Sequence, residues 1–370
     1  MGALPLDGLT VIAIEQAVAA PFTSSRLADA GAKVIKIERP EGDFARGYDD
    51  VARGQSSYFV WLNRGKDSVT LDLASPEGKA ELARLLESAD VLLQNLKRGA
   101  LAKLGFDFER LERDYPRLIT CSITGYGEDG PMADRKAYDL LIQAESGLCS
   151  ITGGPAEPAR VGISLVDIAT GATAHAAILE ALIRRGVTGK GANISVSMFD
   201  VMADWLTVPL LNHEGGKTPQ RIGMAHPSIA PYGTFTSKDG QPILISVQSD
   251  REWRKLAEVF LGKPELGTDP LYATNVARVQ NRKETDALVA AGFARLTADE
   301  AIAALLRADV ALASVSDMAA LSNHPHLRRI TVDTPNGPVT YPAPAAIFAD
   351  EARDYGPVPA LGSPARPKRP

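Results

Sequence analysis

The feature that most constrains this chain is an alternation over its first 125 residues, in which short apolar runs are separated by helix-length segments. Thr10-Val-Ile-Ala-Ile-Glu15 comes first, rich in β-branched residues. A helical stretch opens at Pro21 and stops at Gly31, with proline in the first turn and glycine at the end. Ala32-Lys-Val-Ile-Lys-Ile-Glu38 alternates apolar and polar residues and predicts a strand, as does Val69-Thr-Leu-Asp-Leu73. Ser75-Pro-Glu-Gly-Lys79 starts a helix running to about Ser88, with a serine cap, a first-turn proline and an early glutamate in agreement. Asp90–Asn95 and Leu118–Ile123 supply two more strands. Strands joined through helices must cross over and pair in parallel. The fold class expected is therefore α/β, with a doubly wound parallel sheet. Such sheets bind ligands beyond the carboxyl ends of their strands, which directs attention to residues just after 15, 38, 73, 95 and 123.

The middle of the chain is more helical. Ala137–Ser150 and Asp167–Arg185 carry helical periodicity, Asn193–Ser197 reads as a strand, and Phe199–Asn212 as a helix. His213-Glu-Gly-Gly-Lys-Thr-Pro219 has the composition of a linker. Beyond it, two apolar runs flank Lys238-Asp-Gly240, a hairpin signal that opens a smaller α+β domain with helices out to about 320. The expected large domain is 1–212, and the linker with the small domain is 213–322. Gly356–Pro370 is rich in proline and basic residues and is expected to lie extended or frayed.

Composition removes several function classes. The 370 residues carry 40 Lys+Arg against 45 Asp+Glu, a net charge of -5, which argues against a nucleic-acid partner. No apolar run approaches the roughly 18–20 residues of a membrane span, so no membrane partner is expected. The start lacks a basic region followed by an apolar stretch, and a cytoplasmic location is expected. Cys121 and Cys149 both sit in apolar contexts and read as buried, inert thiols. Two cysteines cannot build a four-thiolate zinc site, and His324-Pro-His326 has no partner at metal-ligand spacing, so no metal is expected.

Gly125-Tyr-Gly-Glu-Asp-Gly130 matches the dinucleotide fingerprint literally. It is followed by the polar Pro131-Met-Ala-Asp-Arg-Lys136, however, where a fingerprint must open a helix, so it reads as a glycine-rich loop. Basic residues gather near the strand ends: Arg39, Lys97, Arg98, Lys103 and Lys136. They suit an anionic, phosphate-bearing ligand, or else they form a solvated face. His175, in an Ala-rich helix, reads as a packing residue. Asp167 stands out among the carboxylates, with apolar neighbours on both sides and a long Ala-rich helix after it. It is either an N-cap or a functional group. A position near a helix N-terminus favours the ionised form that a carboxylate nucleophile requires.

Seven strings in order over about residues 5–350 resemble one family. They are Val34–Pro40, Leu71–Lys79, Asp90–Asn95 with Arg98–Leu101, Ser122–Gly127, Lys136–Leu140, Val166–Gly171 and Ile229–Gly233. The chain is similar to the class III CoA-transferases, the CaiB/BaiF family. The resemblance implies a Rossmann-like large domain, a small domain, a C-terminal segment (323–370) returning to the large domain, and an interlocked homodimer with its site at the domain interface. It implies coenzyme A as a cosubstrate and no permanently bound cofactor. It makes Asp167 the nucleophile, passing through a mixed anhydride and an enzyme-CoA thioester. It places CoA against Arg39, Leu71, Asn95, Leu96, Lys103, Leu104, Lys136 and Tyr138. Val18 stands where the formyl-CoA branch has an active-site glutamine, with Gln16 as its neighbour.

Within the family, the racemase branch needs an acid/base pair, and its histidine aligns with Tyr138. Tyrosine in general titrates near pH ~10 and is a poor base at neutrality. The oxalate-type branch carries a glycine-rich loop that Pro227–Gly233 lacks. The expected reaction moves CoA from a succinyl-CoA type donor to a small dicarboxylic acid such as itaconate, mesaconate, citramalate or malate. An α-methylacyl-CoA racemase is the alternative. A second substrate carboxylate needs a cation, and Arg46, Arg64 and Arg221 are the candidates.

Overall fold

The computed structural model describes residues 4–349, 351 and 353–363. They fall into two compact units. The first takes the described residues of Met1–Cys149, Arg160–Leu211 and Arg328–Pro370, and the second takes Ser150–Ala159 and Asn212–Leu327.

The first unit is built on six strands: β1 (Thr10–Ile14), β2 (Lys33–Glu38), β3 (Lys66–Thr70), β4 (Val91–Gln94), β5 (Ile119–Thr124) and β6 (Ala192–Ser197). They pair in parallel in the order β3-β2-β1-β4-β5-β6. All five residues of β1 are buried, because helices cover both faces of the sheet. Successive strand side chains go to opposite sides. Val11, Val34, Leu93 and Cys121 join one core with the Ala19–Asp29 and Leu165–Thr188 helices. Ile12, Ile35 and Leu92 join the other with Leu82, Leu86, Phe106 and Leu111. The strand order reverses direction between β1 and β4, so the two loops leaving these strands diverge and open a crevice.

Leu165–Thr188 is, among the described residues, the one helix long and apolar enough by length and composition to cross a membrane. No unbroken apolar run of that length stands in the sequence, because Asp167, His175 and Glu180 interrupt it. Val166, Ala169, Ala174, Ile178 and Ala181 of this helix are core residues of the sheet unit. It packs closely on Ala19–Asp29, and Gly171 is the contact point. A Cβ added there would lie 2.6 Å from the Ala19 carbonyl oxygen, and the Thr23 hydroxyl donates to the Gly171 carbonyl at 2.9 Å. Gly171→Ala is therefore expected to lower stability by about 1–3 kcal/mol in urea denaturation. An unchanged midpoint would contradict this close approach.

The second unit carries a three-stranded antiparallel sheet, β7 (Tyr232–Thr236), β8 (Pro242–Ser246) and β9 (Ala311–Ser314), with the expected hairpin between β7 and β8. Helices including Arg282–Phe293 and Ala298–Arg307 close it over Trp253, Phe260, Phe293 and Leu305. Its limits differ from the sequence-based ranges. Residues 150–159 cluster with this unit because Arg221 donates to the Ser150 and Gly154 carbonyls at 3.0 and 3.1 Å. Residues 323–327 cluster with it as well.

From Arg328 onward the described chain packs in the first unit, starting with the hairpin of β10 (Arg329–Val332) and β11 (Val339–Pro342). Residues 357–362, expected to lie extended or frayed, are held by hydrogen bonds. Gly65 N–H donates to the Pro357 carbonyl at 2.9 Å, Val358 N–H to the Asp333 carbonyl at 2.8 Å, and Gly362 N–H to Ser68 Oγ at 3.1 Å. The remainder of that stretch, 364–370, lies outside the described residues.

Candidate active site

The crevice at the carboxyl ends of β1–β4 holds a cleft of about 440 Å³. Its walls are the stubs of four strands: Ile14–Gln16, Ile37–Asp43, Leu71–Ala74, and Leu96 with Leu104. The loop leaving β1 is held from both sides. Asn95 accepts from Gln16 N–H at 3.0 Å and donates to the Gln16 carbonyl at 2.8 Å. Asp43 Oδ1 accepts from Ala17 N–H at 3.2 Å. These bonds fix Ala17 at φ 63°, a left-handed conformation that alanine avoids unless its surroundings impose it.

Behind this loop lies a buried network of charges. The Lys66 ammonium reaches Glu15 at 2.6 Å, Asn63 at 3.1 Å and the Pro21 carbonyl at 3.1 Å. Lys36 reaches Asp43 at 2.8 Å and Glu15 at 3.5 Å, and all four charged side chains are fully shielded from solvent. Burial alone would raise Glu15, but Lys66 and Lys36 outweigh it and hold the carboxyl below its usual range. Burial would lower Lys36, but Glu15 and Asp43 outweigh it and leave the ammonium above its usual value. Burial prevails at Lys66, which falls to about 8.

The expected CoA contacts separate into groups. Arg39, Leu71, Leu96 and Leu104 line the cleft, and Gln16 lines it too. Asn95 stands behind it as the backbone clamp. Lys103, Lys136 and Tyr138 are exposed and outside its walls. Arg39, Lys103 and Lys136 have no ion-pair partner among the described residues. Arg98, in contrast, reaches Asp134 at 3.3 Å and Glu128 at 3.8 Å, tying down the glycine loop. That loop opens no helix, as its polar continuation predicted. Gly125 is required for space, since an added Cβ would meet Ala137 Cβ at 2.2 Å. Val18 is buried with Phe22 and Leu62, away from the cleft.

Asp167 is not an N-cap. Ser164 occupies that position without a side-chain hydrogen bond, and Asp167 lies in the first turn of Leu165–Thr188. Its carboxylate has no hydrogen-bond donor among the described residues. It is half-buried, and burial first, then the charge of Asp139, pushes it up to about 7. The helix dipole, which favours ionisation, is outweighed by both. Tyr48 responds to the charges of both Asp43 and Asp167. Burial, then the charges of Asp43 and Asp167, then Tyr138 and Tyr58, push the Tyr48 phenol up to about 12. Asp43 lines the cleft, so Tyr48 lies within electrostatic reach of both the cleft wall and Asp167.

The three candidate arginines for a second carboxylate are committed elsewhere. Arg46 grips Glu38 with two bonds of 2.7 and 2.8 Å, which helps hold Glu38 down at about 2 against its burial. Arg64 is buried on Asp29 with two bonds and donates to the Trp61 carbonyl at 2.7 Å. Arg221 is spent on the two carbonyls of the second unit. Cys121 is fully buried, with its thiol pushed up to about 12 by burial, whereas Cys149 is only partly covered, contrary to expectation.

A Rossmann-type sheet with a cleft at its switch point, and a carboxylate without a hydrogen-bond donor among the described residues in the first turn of a helix packed on that sheet, is the frame of one enzyme class. The sequence profile of CoA-transferase family III matches residues 6–364. The chain belongs to that family and is an enzyme that transfers CoA, with CoA as substrate or cosubstrate. Among its relatives, the succinate–glutarate CoA-transferase of Agrobacterium fabrum is 40% identical over 77% of this chain and 73% of its own. The acetyl-CoA:oxalate CoA-transferase of Acetobacter aceti is 38% identical over 87% and 83%. A CaiB/BaiF family protein from Brucella suis has the same fold, with a TM-score of 0.81 at 38% identity over 98% of this chain and 97% of its own.

Proposed function

We propose that the chain moves CoA from a succinyl-CoA type donor to a small dicarboxylic acid, with Asp167 as nucleophile. The observation that carries this reading is the Asp167 carboxylate itself, half-buried in the first turn of its helix and without a hydrogen-bond donor among the described residues. An Asp167 oxygen attacks the thioester carbonyl, the C–S bond breaks, and CoA leaves as thiolate from a mixed anhydride. The thiolate attacks the aspartyl carbonyl, releasing the donor acid and leaving an aspartyl-CoA thioester. The acceptor carboxylate displaces CoA again, and the thiolate closes on the new anhydride to give the product thioester and free Asp167. No water or proton is consumed, and one hard exchange becomes a series of easier ones. In this reading the cleft between the β1 and β4 loops holds the CoA, and Arg39, Lys103 and Lys136 face its phosphates. The assembly is the interlocked homodimer of its family.

Glutarate leads the acceptors, on the strength of the Agrobacterium relative. Oxalate stays among them because of the Acetobacter relative, against the loop argument made from the sequence. Initial rates with succinyl-CoA and glutarate, citramalate, mesaconate, itaconate, malate or oxalate test the reading. One diacid should exceed acetate and butyrate by at least tenfold in kcat/KM, and equal rates with monoacids would overturn dicarboxylate specificity. Only ionised Asp167 can attack. The rate is therefore expected to rise about tenfold per pH unit below about 7 and to level above it. A flat profile between pH 5 and 8 would contradict this.

A further inference from the structure

Asp139 and Gln143 are both buried and lie one turn apart on the Asp139–Glu145 helix. The first turn of Leu165–Thr188 has amide N–H groups with no partner inside the helix, and its own Ser164 does not cap them. Asp139 does so from a different helix. Its Oδ1 accepts from Val166 N–H at 2.7 Å and from Asp167 N–H at 3.2 Å. Gln143 holds the other oxygen, donating to Oδ2 at 2.6 Å, and so sets the rotation of the carboxylate. The same amide reaches the strand of chain that enters the helix. Its Oε1 accepts from Val161 N–H at 2.9 Å, and its Nε2 also approaches the Ile163 carbonyl at 3.4 Å. One buried amide thus ties together a carboxylate, the approach to the helix and the helix start.

We propose that Asp139 and Gln143 form a latch that positions Asp167 for the transfer reaction, Asp139 through the helix start and Gln143 through Asp139. The proposal rests on the reading of Asp167 as nucleophile. A local serine or threonine cap would stabilise the helix equally well but would leave its start free to shift. A cap supplied across two helices fixes the start against the rest of the unit. It also places a negative charge next to Asp167, which a neutral cap would not do. The ionisable groups coupled to Asp167 are Asp139 from the Asp139–Glu145 helix and Tyr48 from the loop after Phe44–Gly47, and Tyr138, just before that helix, bears on Tyr48. His175, further along the same helix, responds to its burial and then to Arg26 and Asp29.

The test uses two variants of the full chain with different predicted signatures. Asp139→Asn keeps an oxygen acceptor for the helix N–H groups and removes the charge. Its kcat/KM profile should lose its acid limb toward lower pH by about one unit, read at a fixed acceptor concentration. Gln143→Leu keeps the charge and frees its rotation. Its kcat should fall about 10- to 100-fold with the KM for acyl-CoA within threefold of wild type, and Gln143→Glu assayed near pH 5 should recover part of the loss. An acid limb that stays in place in Asp139→Asn, or a Gln143→Leu enzyme with wild-type kcat and only a lower melting temperature, would reduce the pair to a structural cap. A third measurement is independent of activity. The stability difference between wild type and Asp167→Asn, followed against pH, reports Asp167 titration, and in the Asp139→Asn background its transition should move to lower pH. If Asp167→Asn proves active while that shift is present, the nucleophile reading fails and the charge coupling stands. If the shift is absent, the latch fails whatever the activity.

Discussion

Replacing Asp167 with Ala is expected to cut CoA transfer by a factor on the order of 10⁴–10⁶, the scale of losing a covalent nucleophile, while acyl-CoA still binds. The same position carries a second expectation with an unusual sign. A carboxyl raised to about 7 in the folded chain, against ~4 when unfolded, costs stability once ionised. That cost is absent below the unfolded value, grows as pH rises toward about 7, and is complete above it. Asp167→Asn should therefore gain stability relative to wild type between pH 4 and pH 8. An N-cap would behave in the opposite way, losing about 0.5–2 kcal/mol wherever its carboxylate is ionised. Denaturation curves of the two proteins at pH 4 and pH 8 decide between these, and a larger loss for Asp167→Asn at pH 8 would contradict the geometry described above.

The largest stability effect is expected at Lys66. Its ammonium is fully buried among Glu15, Asn63 and the Pro21 carbonyl, and at about 8 it is still protonated at neutral pH. Lys66→Met leaves Glu15 with Lys36 at 3.5 Å and the Ser24 hydroxyl at 2.5 Å, and takes the ammonium donor from the Asn63 amide oxygen. Removing one partner of a buried ion pair costs about 3–5 kcal/mol. The network supports Glu15 and Gln16, which line the cleft, so the KM for acyl-CoA should rise as well. Adding Glu15→Leu to Lys66→Met should return part of the stability, because a buried pair can be replaced by apolar groups far more cheaply than it can be halved. Urea denaturation at pH 7 measures both. A loss under 1 kcal/mol in the single variant would contradict the network.

The strands were legible because burial on both faces of a parallel sheet demands short runs of β-branched residues, and Thr10–Ile14 is such a run. The switch-point cleft followed from the alternation, and Arg39, Leu71, Leu96 and Leu104 fall on its walls because each directly follows, or packs just beyond, a strand end. Lys36 and Glu38 show where the pattern gave the right element for another reason. Their alternation with apolar neighbours predicts a strand, and both side chains are buried in ion pairs. Alternation reports which face a residue occupies and not what waits on that face. The arginines were misjudged in the same way. The charge of Arg64 is visible in sequence, but its partner Asp29 is 35 residues away and meets it only through packing. Asn95, expected to touch ligand, holds the Gln16 backbone, an arrangement that depends on the curvature of the loop leaving β1. Asp139 and Gln143 carried a usable signal, since residues four apart share a helix face and both sit in or beside the Lys136–Leu140 motif. What they hold became visible only when two helices were placed side by side. Tyr48 left no signal at all, because the charges that bear on its phenol, Asp43 and Asp167, lie on segments far apart in sequence.

Whether Asp167 is the nucleophile is decided by the intact mass of the protein after incubation with succinyl-CoA, for wild type and Asp167→Ala, with and without borohydride. A CoA-sized adduct is expected on wild type alone, discharged by an acceptor diacid and destroyed by borohydride, which reduces the aspartyl thioester. An adduct that persists on Asp167→Ala, or wild-type turnover with no covalent species under any condition, would contradict that role.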